Sequence, residues 1–143
     1  MTQRKGQSLV FEQVLLFAIG VAIFIVMLSI FSVLRGVWNV QAATDKLDTV
    51  SREVATGILS VATDPADFTL RTLVIPRDIA GEVYRIQLVG EKLQLDLSLP
   101  SLDLSRDSDL FSLGSTYTLV DSNVWSLHGR LTIKKVGTTI SIN

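Results

Sequence analysis

Few side chains in this sequence have types and spacings suited to chemistry. The chain of 143 residues has no Cys, which excludes a disulfide framework, a thiolate metal site and a cysteine nucleophile. Its one imidazole, His128, precedes Gly129 in a predicted turn, and no second His is present to complete a zinc site. Because His128 has no second His, no thiolate and no Ser/Asp arrangement to act with it, we expect no enzyme activity, no metal and no cofactor.

The densest group of carboxylates is Asp103, Asp107 and Asp109, three acids within seven residues. Oxygen ligands at such spacing can bind calcium. The glycine and the terminal glutamate of an EF-hand loop are missing, however, and Arg106 lies among the candidate ligands. The segment is therefore predicted to be a solvated loop.

One carboxylate, Glu12, stands at the margin of a long apolar run. Within residues 14–34, 18 of the 21 residues are hydrophobic and none is charged. At about 1.5 Å per helical residue the run spans roughly 30 Å, the thickness of the hydrocarbon core of a bilayer. A carboxylate at membrane depth is costly, so its presence at this position indicates a function.

The overall charge excludes another class of partner. A formal net charge of -1 and a pI near 5.7 provide no electrostatic footprint for nucleic acid. The remaining classes are a protein that is attached to a membrane and one that belongs to a hydrophobic filament.

The residues before the apolar run resemble the N terminus of a known family. The stretch RKGQSLVFE, residues 4–12, followed by an apolar helix, is similar to the leader and mature N terminus of archaeal type IV pilin-like proteins with a class III signal peptide. The resemblance implies that Arg4 and Lys5 belong to a basic leader, residues 1–6. It also implies that a prepilin peptidase cleaves between Gly6 and Gln7.

The same resemblance implies a role for Glu12, although it would be the sixth mature residue instead of the usual fifth. In such filaments the glutamate pairs with the N-terminal amine of a neighbouring subunit and sets the register. The implied protein is a single-pass membrane protein with a cytoplasmic N terminus and an extracellular C-terminal domain. After assembly it would be a structural subunit of a cell-surface filament.

The resemblance also implies the partners: copies of the same chain, the prepilin peptidase, the membrane, and other pilins or cell-envelope components. A different interpretation stays open. An uncleaved anchor would place Glu12 at the lipid headgroups, and the chain would then be an archaellum stator-like or accessory protein. Its extracellular domain would bind a partner or a cell-envelope component.

A continuous helix is predicted, with residues 7–35 in the membrane or filament core and residues 36–64 as its continuation. Apolar residues recur beyond the membrane at heptad spacing, and Asp64-Pro65 predicts the end of the helix. The seam comprises Val40, Ala43, Leu47, Val50, Val54, Gly57 and Val61. It is explained equally well by packing between the helices of neighbouring subunits and by packing on the chain's own β-domain.

Residues 66–143 are predicted to form a small antiparallel β-sandwich, which makes the fold α+β. Two alternating runs around Gly90-Glu91 predict a hairpin, and the alternation predicts one polar, water-facing side for each strand. Trp125 is predicted to lie in the core, and Trp38 at the membrane interface. Seven strands are predicted, at residues 68–75, 84–88, 93–99, 116–120, 124–127, 130–135 and 138–142.

Charge is distributed unevenly along the β-domain. Residues 96–121 contain five acids against Arg106, a balance of -4, whereas residues 122–143 contain three bases and no acid. Opposite patches of this kind could steer neighbouring subunits head to tail, or only keep the surface soluble.

Overall fold

A single helix, α1 (Gln3–Ala62), forms the N-terminal part of the chain. The computed structural model describes residues 3–99 and 102–143, without the side chains of residues 3–9, 111 and 112. The chain divides into two compact units, the first ending at Val40 and the second comprising Gln41–Asn143. The head, as we call the second unit, therefore contains the last part of α1 and all of the strands.

Within the described residues, eight strands follow the helix and form two sheets of four strands each, in the orders β1-β7-β8-β5 and β4-β3-β2-β6. All described strand pairs are antiparallel except β5 with β8. The predicted fold class, a long apolar helix followed by an α+β head with two sheets, is confirmed. The strands are β1 (Phe68–Val74), β2 (Tyr84–Val89), β3 (Lys92–Leu99), β4 (Leu102–Asp109), β5 (Thr118–Leu119), β6 (Ser122–Trp125), β7 (Arg130–Val136) and β8 (Thr139–Ile142).

The hairpin of β2 and β3 follows the sequence prediction. Val89 pairs with Lys92 across a two-residue turn, in which Gly90 has a φ of 58° that a residue with a Cβ adopts only at a cost. Leu93 and Leu95 are fully buried, and the residues between them face outward. Alternation of apolar and polar residues therefore determines both the strand and its buried face.

Strand β4 corrects the prediction of a solvated loop. Its acids, Asp103, Asp107 and Asp109, alternate with residues whose side chains face α1, so the segment has the period of a strand despite its charge. Arg106 forms an ion pair with Asp48 of α1, and every residue of β4 pairs with β3. Pairing with a buried neighbouring strand outweighs the low strand propensity of aspartate.

The head has one apolar core, shared by both sheets and by the last part of α1. The helix lies close to the first sheet at Gly57, where a Cβ would lie 2.6 Å from Leu73 Cδ1 and 2.9 Å from Ile133 Cδ1. It meets the second sheet where the hydroxyls of Ser51 and Ser108 are 2.7 Å apart. The helix thus lies against β1 and β7 of one sheet and β4 of the other.

The end of α1 is held by two side chains of the β-domain. Lys135 Nζ donates to the carbonyl oxygens of Ala62 at 3.2 Å and of Asp64 at 2.5 Å, and the Tyr117 hydroxyl donates to Ala62 O at 2.6 Å. The last carbonyls of a helix have no partner within it, so these bonds satisfy acceptors that are otherwise orphaned. Lys135 is only 5% exposed and does not belong to the basic surface that the sequence suggested.

Candidate assembly surfaces

The apolar segment, residues 10–38 of α1, is the first candidate surface. Every residue in it is exposed, including 20 large hydrophobic side chains between Val10 and Trp38. Its most apolar 18 residues have a mean hydropathy of 3.0, and by length and composition the helix is able to cross a membrane. A helix that is apolar around its whole circumference requires lipid or other protein around it.

Two charged residues lie near the ends of the apolar segment, and none lies between them. Glu12 and Arg35 are both exposed, and the sequence between them has no charged residue. The 23 helical steps from Glu12 to Arg35 correspond to about 34 Å along a helix, close to the hydrocarbon thickness of a bilayer. Inside this interval the Ser29 hydroxyl donates to Ile25 O at 2.9 Å, so its donor is satisfied within the helix itself.

The residues implied in processing lie at the start of α1. The backbone of Arg4, Lys5, Gly6 and Gln7 is helical, and their side chains lie outside the described residues. Cleavage between Gly6 and Gln7 stays a prediction, as does a register role for the exposed Glu12.

The heptad seam from Ala43 onward is buried within the head. Ala43, Leu47, Val50 and Val54 are each at most 3% exposed and belong to the common core, whereas Val40 is half-buried. A side chain already buried in its own chain cannot also line an interface between chains. The four positions therefore favour packing on the chain's own β-domain, because an apolar stripe at heptad spacing fits a sheet as well as a second helix.

One ion pair joins α1 to the edge strand β4. The Arg106 guanidinium donates to both carboxylate oxygens of Asp48, and the Nη2–Oδ2 distance is 2.8 Å. The hydrogen bond from Arg106 holds the pKa of Asp48 below its ordinary value of 3.8. An open cavity beside the pair has a volume of about 170 Å³, and Arg52 and Asp107 balance the charges of its lining. This cavity therefore has no net charge with which to attract an ion.

The two aromatic side chains of sheet β4-β3-β2-β6 have different surroundings, and one of them departs from its predicted place. Trp125 was predicted to be in the core but is 51% exposed, and the Arg85 guanidinium lies 5.7 Å from its ring centroid. Tyr84 is fully buried, and its hydroxyl donates to Pro76 O at 2.8 Å. Burial raises the pKa of Tyr84.

Sequence reasoning missed the contacts of Asp48 with Arg106 and of Lys135 with the helix end. Their partners are separated by 58 and by 71 or more residues, and no local signal connects residues so distant in sequence. Among the described residues, no group of three or more His, Asp or Glu side chains is arranged to hold a metal ion. Comparisons with protein families, with curated proteins and with solved structures found no match.

Proposed function

We propose that this chain is a structural subunit of an archaeal type IV pilus-like surface filament, assembled through the apolar segment. The observation that carries the proposal is the contrast within one helix between an apolar segment exposed on all sides and a continuation whose apolar stripe is already covered. Of the two parts of α1, the apolar segment is the one left to contact lipid or the helices of neighbouring subunits. Its role is mechanical and involves no catalysis.

The free energy of burying the apolar segment supports its role in assembly. Burying a large hydrophobic side chain stabilises by about 1.5–3 kcal/mol, so the 20 side chains between Val10 and Trp38 represent roughly 30–60 kcal/mol. That quantity exceeds the whole stability of an ordinary domain, about 5–15 kcal/mol. The segment therefore passes from the bilayer into a bundle of identical segments without meeting water.

Glu12 supplies the register of this bundle. A carboxylate withdrawn from water is stabilised only when it meets a cation, and cleavage after Gly6 would create such a cation at the new amino group of Gln7. In the proposed filament Glu12 of one copy pairs with Gln7 of its neighbour. The head then forms the outer surface, with the N terminus on the cytoplasmic side before assembly.

The competing function is that of a permanently anchored accessory protein, such as a stator-like component of an archaellum. The half-exposed Trp125, on the polar outer face of a sheet, is the observation that favours it. Such a protein keeps its leader and its place in the bilayer, and its head binds a cell-envelope component.

The mass of the intact protein separates these functions. The full chain with a C-terminal tag is expressed in an archaeal host that has a prepilin peptidase, and its mass is measured from membranes and from sheared surface filaments. We expect a chain that begins at Gln7, together with filaments visible by electron microscopy. A chain that retains Met1 or Thr2 would overturn the filament function and favour the anchored accessory protein.

Two variants test the parts of the mechanism. Gly6→Val is expected to block cleavage and abolish filaments, leaving the uncleaved chain in the membrane. Glu12→Ala is expected to leave cleavage intact and to abolish filaments, whereas Asp45→Ala, which removes an exposed carboxylate outside the apolar segment, preserves them. Normal filaments from cleaved Glu12→Ala protein would show that Glu12 does not set the register.

A further inference from the structure

Strand β1 presents its apolar side chains to solvent instead of to the core. Phe68, Leu70 and Val74 are 60%, 57% and 76% exposed, whereas Arg71 on the opposite side of the strand donates to Ser60 of α1. Only Leu73 on that inner side is buried. This arrangement reverses the usual pattern of a half-buried strand, and an exposed apolar face on an edge strand is a site at which another surface packs.

Two basic residues of β7 border this apolar row. The register places Lys134 opposite Leu70 and Arg130 opposite Val74, so their side chains share the outer face of the sheet. Lys134 Nζ lies 5.9 Å from the centroid of the Phe68 ring, and Arg130 has no side-chain partner among the described residues. We call Phe68, Leu70, Val74, Arg130 and Lys134 the basic-apolar face.

The other sheet carries the opposite charge on its outer face. Asp103, Asp107 and Asp109 of the edge strand β4 are all exposed and project from the same side as Ser105. Lys92 lies 4.0 Å from Asp109, and Asp107 has no side-chain partner in the described part of the chain. We call these four residues of β4 the acidic face.

We propose that the basic-apolar face of one copy docks on the acidic face of a second copy of this chain. Both sheets turn their buried sides to one core, so the two outer faces look in opposite directions. A contact between two different faces is heterologous, and it propagates as an open filament when the rotation between successive copies does not close a ring. The contact rests on the proposed filament function, for which it specifies how successive heads meet.

Charge complementarity favours a second copy of this chain, and not a bilayer, as the partner of the basic-apolar face. An anionic bilayer would also attract a face with apolar and basic side chains, but it would repel the acidic face and leave it without a role. A second copy matches both faces at once. Arg130 and Asp107, which lack partners within the described residues, become the charges that meet across the contact.

The size of the contact indicates what it does. Two paired strands of seven residues cover about 23 Å by 10 Å, or roughly 230 Å², against about 800 Å² per partner in a stable dimer. The contact is therefore too small to hold two chains together and instead aligns heads that are already joined through the apolar segment. Complementary charge in a small contact contributes specificity more than affinity.

Cysteine crosslinking tests this contact directly, because the natural sequence has no Cys. In the full chain, Leu70→Cys places a thiol on the basic-apolar face and Ser105→Cys places one on the acidic face. After mild oxidation of filaments or membranes, the double variant is expected to give a ladder of covalent oligomers. Each single variant is expected to stay monomeric. The control pair, Leu70→Cys with Thr49→Cys on the exposed side of α1, gives no ladder.

Charge reversal provides a second readout. Arg130→Glu with Lys134→Glu, added to the double-cysteine variant, is expected to lower the ladder yield at least about tenfold through like-charge repulsion. Adding Asp103→Lys and Asp107→Lys to the same chain is expected to restore it. An unchanged yield after the first reversal would show that complementary charge does not direct the contact.

The outcomes separate this contact from the filament function. A chain that begins at Gln7 and gives no ladder overturns the head contact alone, whereas a ladder from a chain that keeps Met1 or Thr2 overturns the filament function alone. Dimers from Leu70→Cys by itself would mean that like faces meet, which also overturns the proposal. A polarity-sensitive dye attached to Leu70→Cys tests whether the basic-apolar face contacts lipid. Fluorescence that changes with the phosphatidylglycerol content of vesicles, and not with the number of protein chains per vesicle, would assign the face to the bilayer.

Discussion

The two parts of α1 belong to one uninterrupted helix, yet their side chains have opposite surroundings. From residue 10 to residue 38 every position is exposed, whereas between Ala43 and Ala62 a stripe of apolar residues is buried in the head. The polar residues of this later part, such as Arg52 and Glu53, are exposed on its other side. The distribution of apolar residues around a helix thus shows whether it is surrounded or lies on one surface.

The largest expected effect is the loss of the head on placing a charge in the buried stripe. Val54 is fully buried, so Val54→Asp leaves a carboxylate without water or a partner and is expected to lower the free energy of unfolding by at least about 4 kcal/mol. Protease resistance and thermal unfolding of the full chain in detergent measure the loss. Thr56→Asp, two residues away at an exposed position, is the control and is expected to stay folded.

An aspartate placed in the apolar segment is expected to impair membrane insertion and to leave the stability of the head unchanged. Ile25→Asp puts a carboxylate near the centre of the apolar segment, where it opposes membrane insertion by about 3 kcal/mol. The chain is expected to shift from membranes to the soluble or degraded fraction while the head unfolds at its normal temperature. A lower unfolding temperature would mean that the apolar segment also supports the head.

A smaller effect is expected at the end of the buried part of the helix. Lys135→Met removes the donor to the carbonyls of Ala62 and Asp64 and is expected to cost about 2 kcal/mol of stability. Lys134→Met is the matched control, because its side chain lies on the outer face of the same strand. Equal unfolding temperatures for the two variants would show that the helix end does not depend on Lys135.

The smallest effect is expected from the surface ion pair of Asp48 with Arg106, and it depends on pH. Because folding lowers the pKa of Asp48 below 3.8, the pair stabilises the head above that pH, and the contribution is lost as pH falls through the lowered pKa. Asp48→Asn is expected to lower the unfolding temperature slightly at pH 7 and by progressively less as the pH falls below 3.8. A difference that does not shrink as the pH falls would point to packing, not charge.

Local pattern predicted those elements whose environment is simple. The apolar run, the β2–β3 hairpin and the end of the helix shortly before Asp64-Pro65 each follow from neighbouring residues, and the structure shows all three. Strand β4 was missed because its aspartates suggested a loop, although they alternate with the side chains that face α1. Composition was a poorer guide in that segment than spacing.

Tertiary context decided the positions that local pattern left open or misplaced. Strand β1 was expected to turn its apolar side inward, but its inner side meets the end of α1, and Arg71 finds its partner Ser60 there. Trp125 and Tyr84 illustrate the same limit, since either aromatic ring satisfies a strand pattern. Only the packed head shows that the tyrosine is in the core.

The sequence by itself determined the apolar segment, its flanking charges and the α+β class, because hydrophobicity and helical length are properties of consecutive residues. The tertiary structure alone decided that the heptad seam lies on the chain's own sheets, that Lys135 is buried, and that basic-apolar and acidic faces look in opposite directions. These features depend on contacts between residues distant in sequence, such as Asp48 with Arg106 at a separation of 58 positions and Lys135 with Ala62 at 73. Such pairings follow from the packing of the core, which no short stretch of sequence contains.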